Sequence, residues 1–394
     1  MSEKHDEKNH EPFIKDWTYV QKEELNAEST TGKTISYWQD VRRRLRKNKL
    51  AGGSIVVIIL ILLASTVGQT LTGKSYDAQQ LSLRNMPPVI EIQTAEDGTN
   101  FYIHQDLKVF LTDQHGFITD EIPPVSASLA DKLFTYEYKG KTYNLSFSGE
   151  GIKFEDENRQ PLPEKRKIWN KNYLLGTDSI GRDLLTRLLY GGRVSLLVAF
   201  LVTICTLVIG VMYGGISGYY GANLDIVMMR LVEILMAIPS TIYIILLMVY
   251  FGQGIYNILI AMALTSWLGM AQLVRGQVLS LKEQEFILAA KTVGVSPLKI
   301  ILTHLLPNCI GPIVVSATLS IPGAIATEAF MSFIGLGVKP PMPSWGILSN
   351  EGIGAIRSSP YQILLPSIAI SLTMFAFNFL GDSLRDAMDP RQRK

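Results

Sequence analysis

The side chains that could bind metals or transfer protons are scattered along this chain. The five histidines stand at positions 5, 10, 104, 115 and 304, and none has a partner at the short spacing of zinc ligands. Cys205 and Cys309 lie in separate apolar runs and form no disulfide framework. We therefore expect no catalytic residue, no metal site and no cofactor in this chain.

Residues 27–34, AESTTGKT, loosely resemble a phosphate-binding loop. Such a loop needs a glycine at its first position, an apolar strand before it and a helix after it. Ala27 occupies the first position, and Lys22-Glu23-Glu24 precedes it in place of a strand. We interpret the segment as part of a solvated polar tail over residues 1–40.

The composition indicates a membrane protein. Charged residues make up 18% of the 394 residues and hydrophobic residues 47%, whereas soluble proteins carry about 25% charged residues. The net charge of +2, from 37 basic and 35 acidic residues, is too balanced for a nucleic-acid-binding surface. We expect membrane lipid around the chain and no nucleic-acid partner.

Long stretches almost free of Asp, Glu, Lys and Arg predict the membrane spans. A spanning helix needs about 20 apolar residues, and that length is reached at residues 50–73, 194–224, 234–275, 300–327 and 358–381. The third stretch is about twice the needed length and is interrupted by Phe251-Gly252-Gln253-Gly254, where glycine allows a tight turn. The sequence thus predicts six transmembrane helices.

The distribution of basic residues predicts the orientation of these helices. The first span is preceded by Arg42, Arg43, Arg44, Arg46, Lys47 and Lys49. Because basic flanks stay in the cytoplasm, the N-terminus is expected there. Six spans then place the loop after residue 275 and the basic C-terminal tail on the same side.

The segment between the first two spans has a different pattern. Phe134, Tyr136 and Tyr138 alternate with polar residues, and the alternation resumes after a turn at residues 139–141, which predicts a β-hairpin. A second pair of strands is expected around residues 114–116. We interpret residues 75–168 as a small β-rich domain on the outer face, acting either as a spacer packed on the membrane helices or as a docking surface for an external protein.

The loop after the predicted fourth span carries the most informative pattern. Residues 284–293 have Phe286, Ala289, Ala290 and Val293 at helical spacing, which predicts a short helix with one apolar face. Gly294 is placed to end that helix in a left-handed conformation. Ser296 and Pro297 then begin a new helix. A short helix fixed between two spans is suited to pass motion from a partner to the membrane helices. An ordinary interfacial helix is the alternative.

These residues resemble the cytoplasmic signature of the inner-membrane permease subunits of ATP-binding-cassette importers, in the group that takes up oligopeptides, dipeptides and nickel. The matching residues are Ala289, Ala290, Gly294, Leu306 and Pro307. The general signature has a glutamate directly before the alanines, where this chain has Leu288, with Glu285 three residues earlier. That departure puts in doubt any ion pair assigned to the glutamate.

Three further stretches carry the same resemblance. Residues 175–185 resemble the opening of the family's core, with Gly176, Thr177, Asp178, Gly181, Arg182 and Asp183 in place. Arg230, Glu233 and Pro239 resemble the start of the third span, and residues 328–346 resemble the outward loop after the fifth. Together these stretches cover residues 40–74 and 170–394.

The resemblance implies an all-α integral membrane fold of six transmembrane helices, of the type I importer kind, with the β-rich insertion between spans 1 and 2. The domains would be a cytoplasmic tail (1–40), a basic flank with the first span (41–74), the insertion (75–168) and the permease core (169–394) with its coupling loop (275–306). Contact with the ATPase would involve Glu285, Phe286, Ala289, Ala290, Gly294, Ser296, Pro297, Leu298 and Pro307.

The resemblance also implies the partners: a second homologous permease, two ATPases that bind ATP and Mg²⁺, and an extracellular peptide-binding lipoprotein. The chain would be the C-type permease, half of the translocation pathway in a bacterial cell membrane, with both termini in the cytoplasm. A nickel or metal-chelate importer is the alternative within the family. Outside it, a receptor with an outer β domain and an ion-coupled transporter are the rivals.

Individual polar residues carry expectations of their own. Thr177 or Asp178 is expected to cap a helix beginning near Asp183, with Arg182, Asp183 and Arg187 facing lipid headgroups or a partner. Glu328, at membrane depth, is expected either to line the translocation path or to pair with an arginine or lysine. Arg230 and Glu233 are expected to form an ion pair within one helix.

Overall fold

The computed structural model describes residues 36–128, 130–148, 151–162 and 164–389. Nearly all of the predicted polar tail, including AESTTGKT, lies outside the described residues. The helices are α1 (Tyr37–Lys47), α2 (Lys49–Thr72), α3 (Leu184–Tyr220), α4 (Ala222–Met236), α5 (Ser240–Phe251), α6 (Ile255–Leu281), α7 (Glu285–Thr292), α8 (Ile310–Phe333), α9 (Trp345–Ile353) and α10 (Tyr361–Met388).

Five of these helices, α2, α3, α6, α8 and α10, are each long and apolar enough to cross a membrane. Helices α4 and α5 meet that criterion only together, and they are bent by 76° relative to each other. The described residues therefore hold five spanning helices, or six if the bent pair counts as one span. The bend occurs at Pro239, which lacks a backbone N–H and disfavours a helical conformation at the residue before it.

Two predicted spans begin elsewhere in the structure. The helix expected to begin near Asp183 is confirmed. It continues without a break into the span predicted from residue 194, so α3 runs from Leu184 with Arg187 and Arg193 inside it. Helix α8 starts at Ile310 rather than at residue 300. The preceding residues form a π-helical turn (Ile300–Leu305) and a short helical segment (Leu306–Asn308). Pro307 lies in the second segment and interrupts the regular hydrogen-bond pattern of the helix.

Helices α3 and α6 pack closely along their length. Gly210, Gly214 and Gly218 lie four residues apart on α3, and a side chain at any of them would collide with Met270, Ala271 or Val278 of α6. Small residues at this spacing let two membrane helices approach until their backbones are nearly in contact. The closeness of the two helices ties the loop after α6 to the longest helix of the bundle.

Between α2 and α3, the described residues form a domain of nine antiparallel strands in two sheets. The first sheet has the order β4-β3-β2-β1-β9 and the second the order β5-β6-β7-β8. The strands are β1 (Val89–Thr94), β2 (Asn100–Ile103), β3 (Val109–Thr112), β4 (Ile118–Ile122), β5 (Pro124–Ser128), β6 (Leu133–Tyr138), β7 (Lys141–Ser148), β8 (Gly151–Glu155) and β9 (Glu164–Trp169). The two predicted hairpins are confirmed as β6–β7 and β3–β4.

An aromatic core joins the two sheets. Phe101 of the first sheet packs against Tyr143 and Phe154 of the second, with ring centroids 4.8 and 5.4 Å away. Rings at these separations add an attraction beyond the burial of their apolar surface. The β domain thus has a hydrophobic core of its own.

The other face of the first sheet packs on the segment that follows α2. Leu83 and Met86 lie in the same buried cluster as sheet residues Ile90 and Phe110. Backbone groups of Met86 form hydrogen bonds with the segment that precedes α3 and with the first residue of α10. Its N–H donates to the Thr177 hydroxyl over 2.8 Å, and its carbonyl accepts from the Tyr361 hydroxyl over 2.9 Å. The β domain is therefore packed on the membrane helices as well as connected to them.

Two glycines test the packing of the β3–β4 turn against the end of β9, inside the β domain. Gly116 and Gly140 both have positive φ angles, +94° and +74°, so alanine at either should cost about 1–2 kcal/mol of backbone strain. At Gly116 the new methyl group would also collide with the carbonyl of Trp169, whereas the space around Gly140 is open. We expect Gly116→Ala to sensitise the β domain of the full chain to pulse proteolysis in urea much more than Gly140→Ala does. Equal sensitivity would contradict the packing.

Candidate functional site

Helix α7 follows α6 and is anchored on the bundle mainly by the side chain of Ile287. Ile287 is fully buried and belongs to a cluster with Val274 and Val278 of α6. The π-helical turn supplies Ile300 and Leu305 to the same cluster. A displacement of α7 must therefore move α6 or separate these closely packed side chains.

The end of α7 has the geometry that the sequence predicts. Gly294 has a φ angle of +82°. Its N–H donates to the carbonyl of Lys291 over 3.0 Å, and the N–H of Val295 donates to the carbonyl of Ala290 over 3.1 Å. This pair of bonds is a Schellman motif, which satisfies the last carbonyls of a helix.

The next helical segment after α7 is the single short turn Pro297–Lys299, and it starts differently from the prediction. Ser296 occupies the position before Pro297, as expected, but its hydroxyl makes no capping hydrogen bond. A backbone hydrogen bond stabilises this turn instead, in which the carbonyl of Ser296 accepts from the N–H of Ile300 over 2.9 Å. The turn between α7 and the next helix is thus held mainly by backbone hydrogen bonds.

The outward side of this loop presents apolar side chains that no described residue covers. Phe286 is 45% exposed, Leu298 54% and Val293 82%. The predicted single apolar face over Phe286, Ala289, Ala290 and Val293 is wrong in one respect. Ala290 lies partly buried against the bundle with Ile287, while the others are exposed. Exposed apolar groups collected on one loop are typical of an interaction surface.

An ion pair that the sequence analysis missed holds the base of this loop. The guanidinium of Arg275 on α6 donates through Nε and Nη2 to the two carboxylate oxygens of Asp225 on α4, each over 2.6 Å. The hydroxyl of Ser217 on α3 donates to the same carboxylate over 2.5 Å. Each charged residue stands at the edge of an apolar run, but nothing in the spacing indicates that the two meet.

The opposite end of the bundle, next to the β domain, holds a buried network around Asp178. One oxygen of this carboxylate accepts the backbone N–H groups of Ile180 and Arg182, over 3.0 and 2.9 Å. The other accepts Nε of Arg182 over 2.6 Å and Nη1 of Arg187 over 2.7 Å. Glu351 on α9 binds both arginines as well, with its nearest oxygen 2.9 Å from Arg182 and 2.5 Å from Arg187.

This network corrects the expectation for the charged residues of the motif. Arg182, Asp183 and Arg187 are buried, and the side chain of Arg187 is only 1% exposed, so they face neither headgroups nor solvent. The helix cap is also a different residue from those expected. Asp183, not Thr177 or Asp178, accepts the N–H of Thr186 over 2.9 Å at the start of α3. Asp178 is occupied by the two arginines.

The remaining motif residues join α3 to the segment that precedes the β domain. Thr177 is fully buried and binds backbone groups of Leu83 and Met86. Gly176 and Gly181 lie against the carbonyls of Met86 and Gln80, where any larger side chain would collide. The six residues of the motif therefore build one junction between α3, α9 and the start of the insertion.

Glu328 lies on α8 and is 0% exposed. Its carboxylate accepts hydrogen bonds from the hydroxyls of Ser195 on α3, over 2.8 Å, and Ser332, over 2.7 Å. Of the two alternatives for Glu328, the pair with an arginine or lysine is wrong, since among the described residues its partners are hydroxyl groups. A place for Glu328 in the translocation path stays a prediction. The expected pair of Arg230 with Glu233 is confirmed at 2.8 Å and is exposed.

No described part of the chain places three or more His, Cys, Asp or Glu side chains where they could hold a metal ion. The polar residues of both ends instead bind one another or the backbone. Both clusters connect helices, and the loop bearing α7 offers an exposed apolar surface.

Comparison with known proteins identifies the family. Residues 36–88 match the N-terminal TM domain of oligopeptide transport permease C, and residues 207–394 match the binding-protein-dependent transport system inner membrane component. The dipeptide transport system permease protein DppC of Bacillus subtilis is 35% identical over 384 residues, covering 97% of this chain and 95% of that protein. The chain belongs to the dipeptide and oligopeptide transport permease family.

Other relatives agree with this membership. The dipeptide transport system permease protein DppC of Lactococcus lactis is 36% identical over 97% of this chain and 98% of its own length. The oligopeptide transport system permease protein OppC of Haemophilus influenzae is 48% identical over 221 residues, 56% of this chain and 71% of its own. The alignment with DppC thus includes the β domain. A receptor and an ion-coupled transporter belong to other families.

The Asp178 network gives a testable difference between two ion pairs. Asp178→Ala leaves the buried Arg182 and Arg187 with Glu351 alone, and removing one partner of a buried pair typically costs about 3–5 kcal/mol. Glu233→Ala removes an exposed pair, which contributes little. We expect Asp178→Ala alone to lower the temperature at which a thiol-reactive dye labels the buried Cys309 in the purified chain. A fall of the same size in Glu233→Ala would contradict the assigned role of the network.

Proposed function

We propose that this chain is the permease subunit of an ATP-driven importer of dipeptides or oligopeptides, and that it forms half of the translocation pathway with a second, homologous permease. The similarity to dipeptide transport permeases over 97% of the chain supports this proposal. The names of the relatives reported above favour peptides over nickel. In this view the chain hydrolyses nothing, and ATP and Mg²⁺ are bound by two partner ATPases.

The exposed loop is the proposed contact with an ATPase. Phe286, Val293 and Leu298 provide apolar groups that can enter a groove on a partner, and Glu285 adds a charge at the start of α7. The Schellman turn at Gly294 fixes the direction of α7 relative to the next helix. The proposed coupling residues are Glu285, Phe286, Ala289, Ala290, Gly294, Ser296, Pro297, Leu298 and Pro307.

Two connections carry a displacement of α7 into the spans. The first is apolar, through the packing of Ile287 on α6. The second is ionic, because Arg275 at the end of α6 holds Asp225 on α4, the first half of the bent pair. Motion of the loop toward an ATPase is thus delivered to α6 and to a helix that already has a break after Met236. Such a break allows α4 to move relative to α5.

The proposed topology places α1, α7 and both termini in the cytoplasm of a bacterial cell. The β domain then lies outside, where an extracellular peptide-binding lipoprotein delivers the substrate. The basic flank of the first span supports this orientation. At the outer face, we assign the Asp178 network and Glu328 to holding α9 in place, since Ser195 binds both Glu328 and the backbone N–H of Trp345, the first residue of α9.

The experiment that tests the function combines genetics with purification. A strain lacking this gene should fail to grow when its only source of a required amino acid is a peptide, and the intact gene should restore growth. The chain, tagged and gently solubilised, should purify with a second permease and two ATPases whose ATP hydrolysis rises with the peptide-loaded binding protein. Normal growth on the peptide without this gene, together with nickel uptake that depends on the gene, would overturn the substrate assignment.

The turn at Gly294 predicts a sharp effect on uptake. Proline has no N–H to donate to Lys291 and cannot adopt a φ angle of +82°, so Gly294→Pro should dissolve the Schellman turn and reduce peptide uptake to background. Asparagine tolerates the left-handed conformation, so Gly294→Asn should retain most of the uptake.

Both variants should reach the membrane in normal amounts, because a Cβ atom at position 294 would have no described atom within 4 Å beyond its chain neighbours. Uptake is measured with a labelled peptide in cells whose membrane content of each variant is checked by immunoblot. Undiminished uptake by Gly294→Pro would show that the direction of α7 does not matter for coupling.

A further inference from the structure

Helix α1 divides its side chains sharply between two faces. Tyr37, Val41 and Leu45 follow one another at four-residue spacing and pack in a cluster with Val315 of α8 and Met388 of α10. Four basic side chains, which we call the cationic face, point away from that cluster and are exposed: Arg42, Arg43, Arg46 and Lys47. The apolar stripe holds α1 on the bundle and leaves the cationic face turned outward.

The charges of the cationic face lack acidic partners. Within the described residues, Asp40 of α1 binds Arg44, 3.0 Å away, and none of the four basic side chains of the face makes an ion pair. Two of its pairs, Arg42 with Arg46 and Arg43 with Lys47, bring like charges together at i, i+4, which destabilises a helix unless an anion lies between them. This arrangement calls for a negatively charged ligand.

The structure provides space for such a ligand. A groove of about 320 Å³ is lined by Gln39 and the four side chains of the cationic face. A second groove of about 390 Å³ is lined by Arg43, Arg44 and Lys47, by Asn48 and by Ser383 of α10, and it also contains the carboxylates of Asp40 and Asp386. The groove of the cationic face itself has no acidic residue in its described lining. Arginine forks and lysine ammonium groups are the usual ligands of phosphate oxygens.

The position of α1 relative to the first span indicates what the anion is. Asn48 alone separates α1 from α2, and its carboxamide oxygen caps α2 by accepting the N–H groups of Leu50 and Ala51 over 3.0 and 3.3 Å. The outward side chains of α2, beginning with Leu50 and Ile55, are apolar and exposed, as expected for contact with lipid chains. The cationic face therefore lies within a few residues of the bilayer edge, at the depth of the headgroups.

We propose that the cationic face of α1 binds the phosphodiester headgroups of anionic phospholipids in the cytoplasmic leaflet, the leaflet on the same side of the membrane as α7. Basic residues on an amphipathic helix beside a span are attracted to such a leaflet. An acidic surface of a protein partner is the less favoured occupant, because the exposed apolar surface for a partner is on α7, whereas α1 packs on α8 and α10. The inference rests on the proposed function, in which α1 lies on the cytoplasmic side of the membrane.

The test measures which lipids stay with the assembled transporter. The complex is reconstituted in vesicles of equal parts phosphatidylcholine and phosphatidylglycerol, extracted again in mild detergent and analysed for retained lipid by mass spectrometry. We expect enrichment of phosphatidylglycerol for the native chain. The triple variant Arg43→Gln, Arg46→Gln, Lys47→Gln should lower that enrichment by about five-fold or more, since each basic side chain contributes roughly this factor at an anionic surface. Arg42, Arg44 and Lys49 remain in this variant to preserve orientation.

Two further variants separate lipid binding from misfolding and from a general loss of charge. The double variant Arg43→Lys, Arg46→Lys keeps the charge and should keep the enrichment. The triple variant Lys139→Gln, Lys165→Gln, Lys167→Gln removes the same charge from exposed positions of the β domain and should also keep it. Enrichment that survives in the α1 triple variant, or that is lost equally in the β-domain variant, would overturn the proposal.

A third comparison addresses the protein partner. If the α1 triple variant retains phosphatidylglycerol as the native chain does but loses its ATPases during purification, the cationic face binds a protein and the proposal fails. Peptide uptake separates this result from a failure of the proposed function. A native chain that enriches phosphatidylglycerol yet supports no uptake would leave the lipid site standing and remove the importer assignment.

Discussion

Two buried arginine side chains set the arrangement at the β-domain end of this molecule. A guanidinium removed from water is stable only when carboxylates surround it, and Arg182 and Arg187 meet this requirement by sharing Asp178 and Glu351. Asp178 precedes α3 and Glu351 belongs to α9, so satisfying the arginines fixes α9 against α3. The placement of α9 in turn brings the N–H of Trp345 to Ser195, which also binds Glu328 of α8. Three helices are thereby held through one set of charges.

The other end of the bundle has a smaller ionic connection, in which the Arg275 side chain is 35% exposed. Arg275 and Asp225 neutralise each other across α6 and α4, and the hydroxyl of Ser217 on α3 completes the site. Between the two ends, the contact of α3 with α6 is made by small residues that allow close backbone approach. Ion pairs and hydrogen bonds therefore determine which helices meet at the two ends of the bundle. Between the ends, the close fit of small side chains on α3 against α6 holds the helices together.

The sequence predicts features that depend on neighbouring residues and misses those that depend on distant ones. The β6–β7 hairpin and the turn at Gly294 were predictable because alternation and a glycine position encode them locally. That α3 runs unbroken from Leu184 through its span was not predictable, because Arg187 becomes tolerable inside a membrane helix only when Asp178 and Glu351 neutralise it. The pairing of Arg275 with Asp225 likewise joins residues fifty positions apart, and no spacing rule relates them. The family resemblance predicted the function, which the geometry alone would not have identified.

The two ends of the β domain are neighbours. Its first strand begins at Val89 and its last ends at Trp169, and these two residues are paired across adjacent strands of one sheet, so their α-carbons lie about 5 Å apart. The contacts that fasten the domain to the helices, at Met86 and Thr177, fall outside this pair on the chain. The strands therefore leave and rejoin the rest of the chain at one place. Removing them would keep the hydrogen bonds between Met86 and Thr177 but would uncover Leu83 and Met86, which pack on the first sheet.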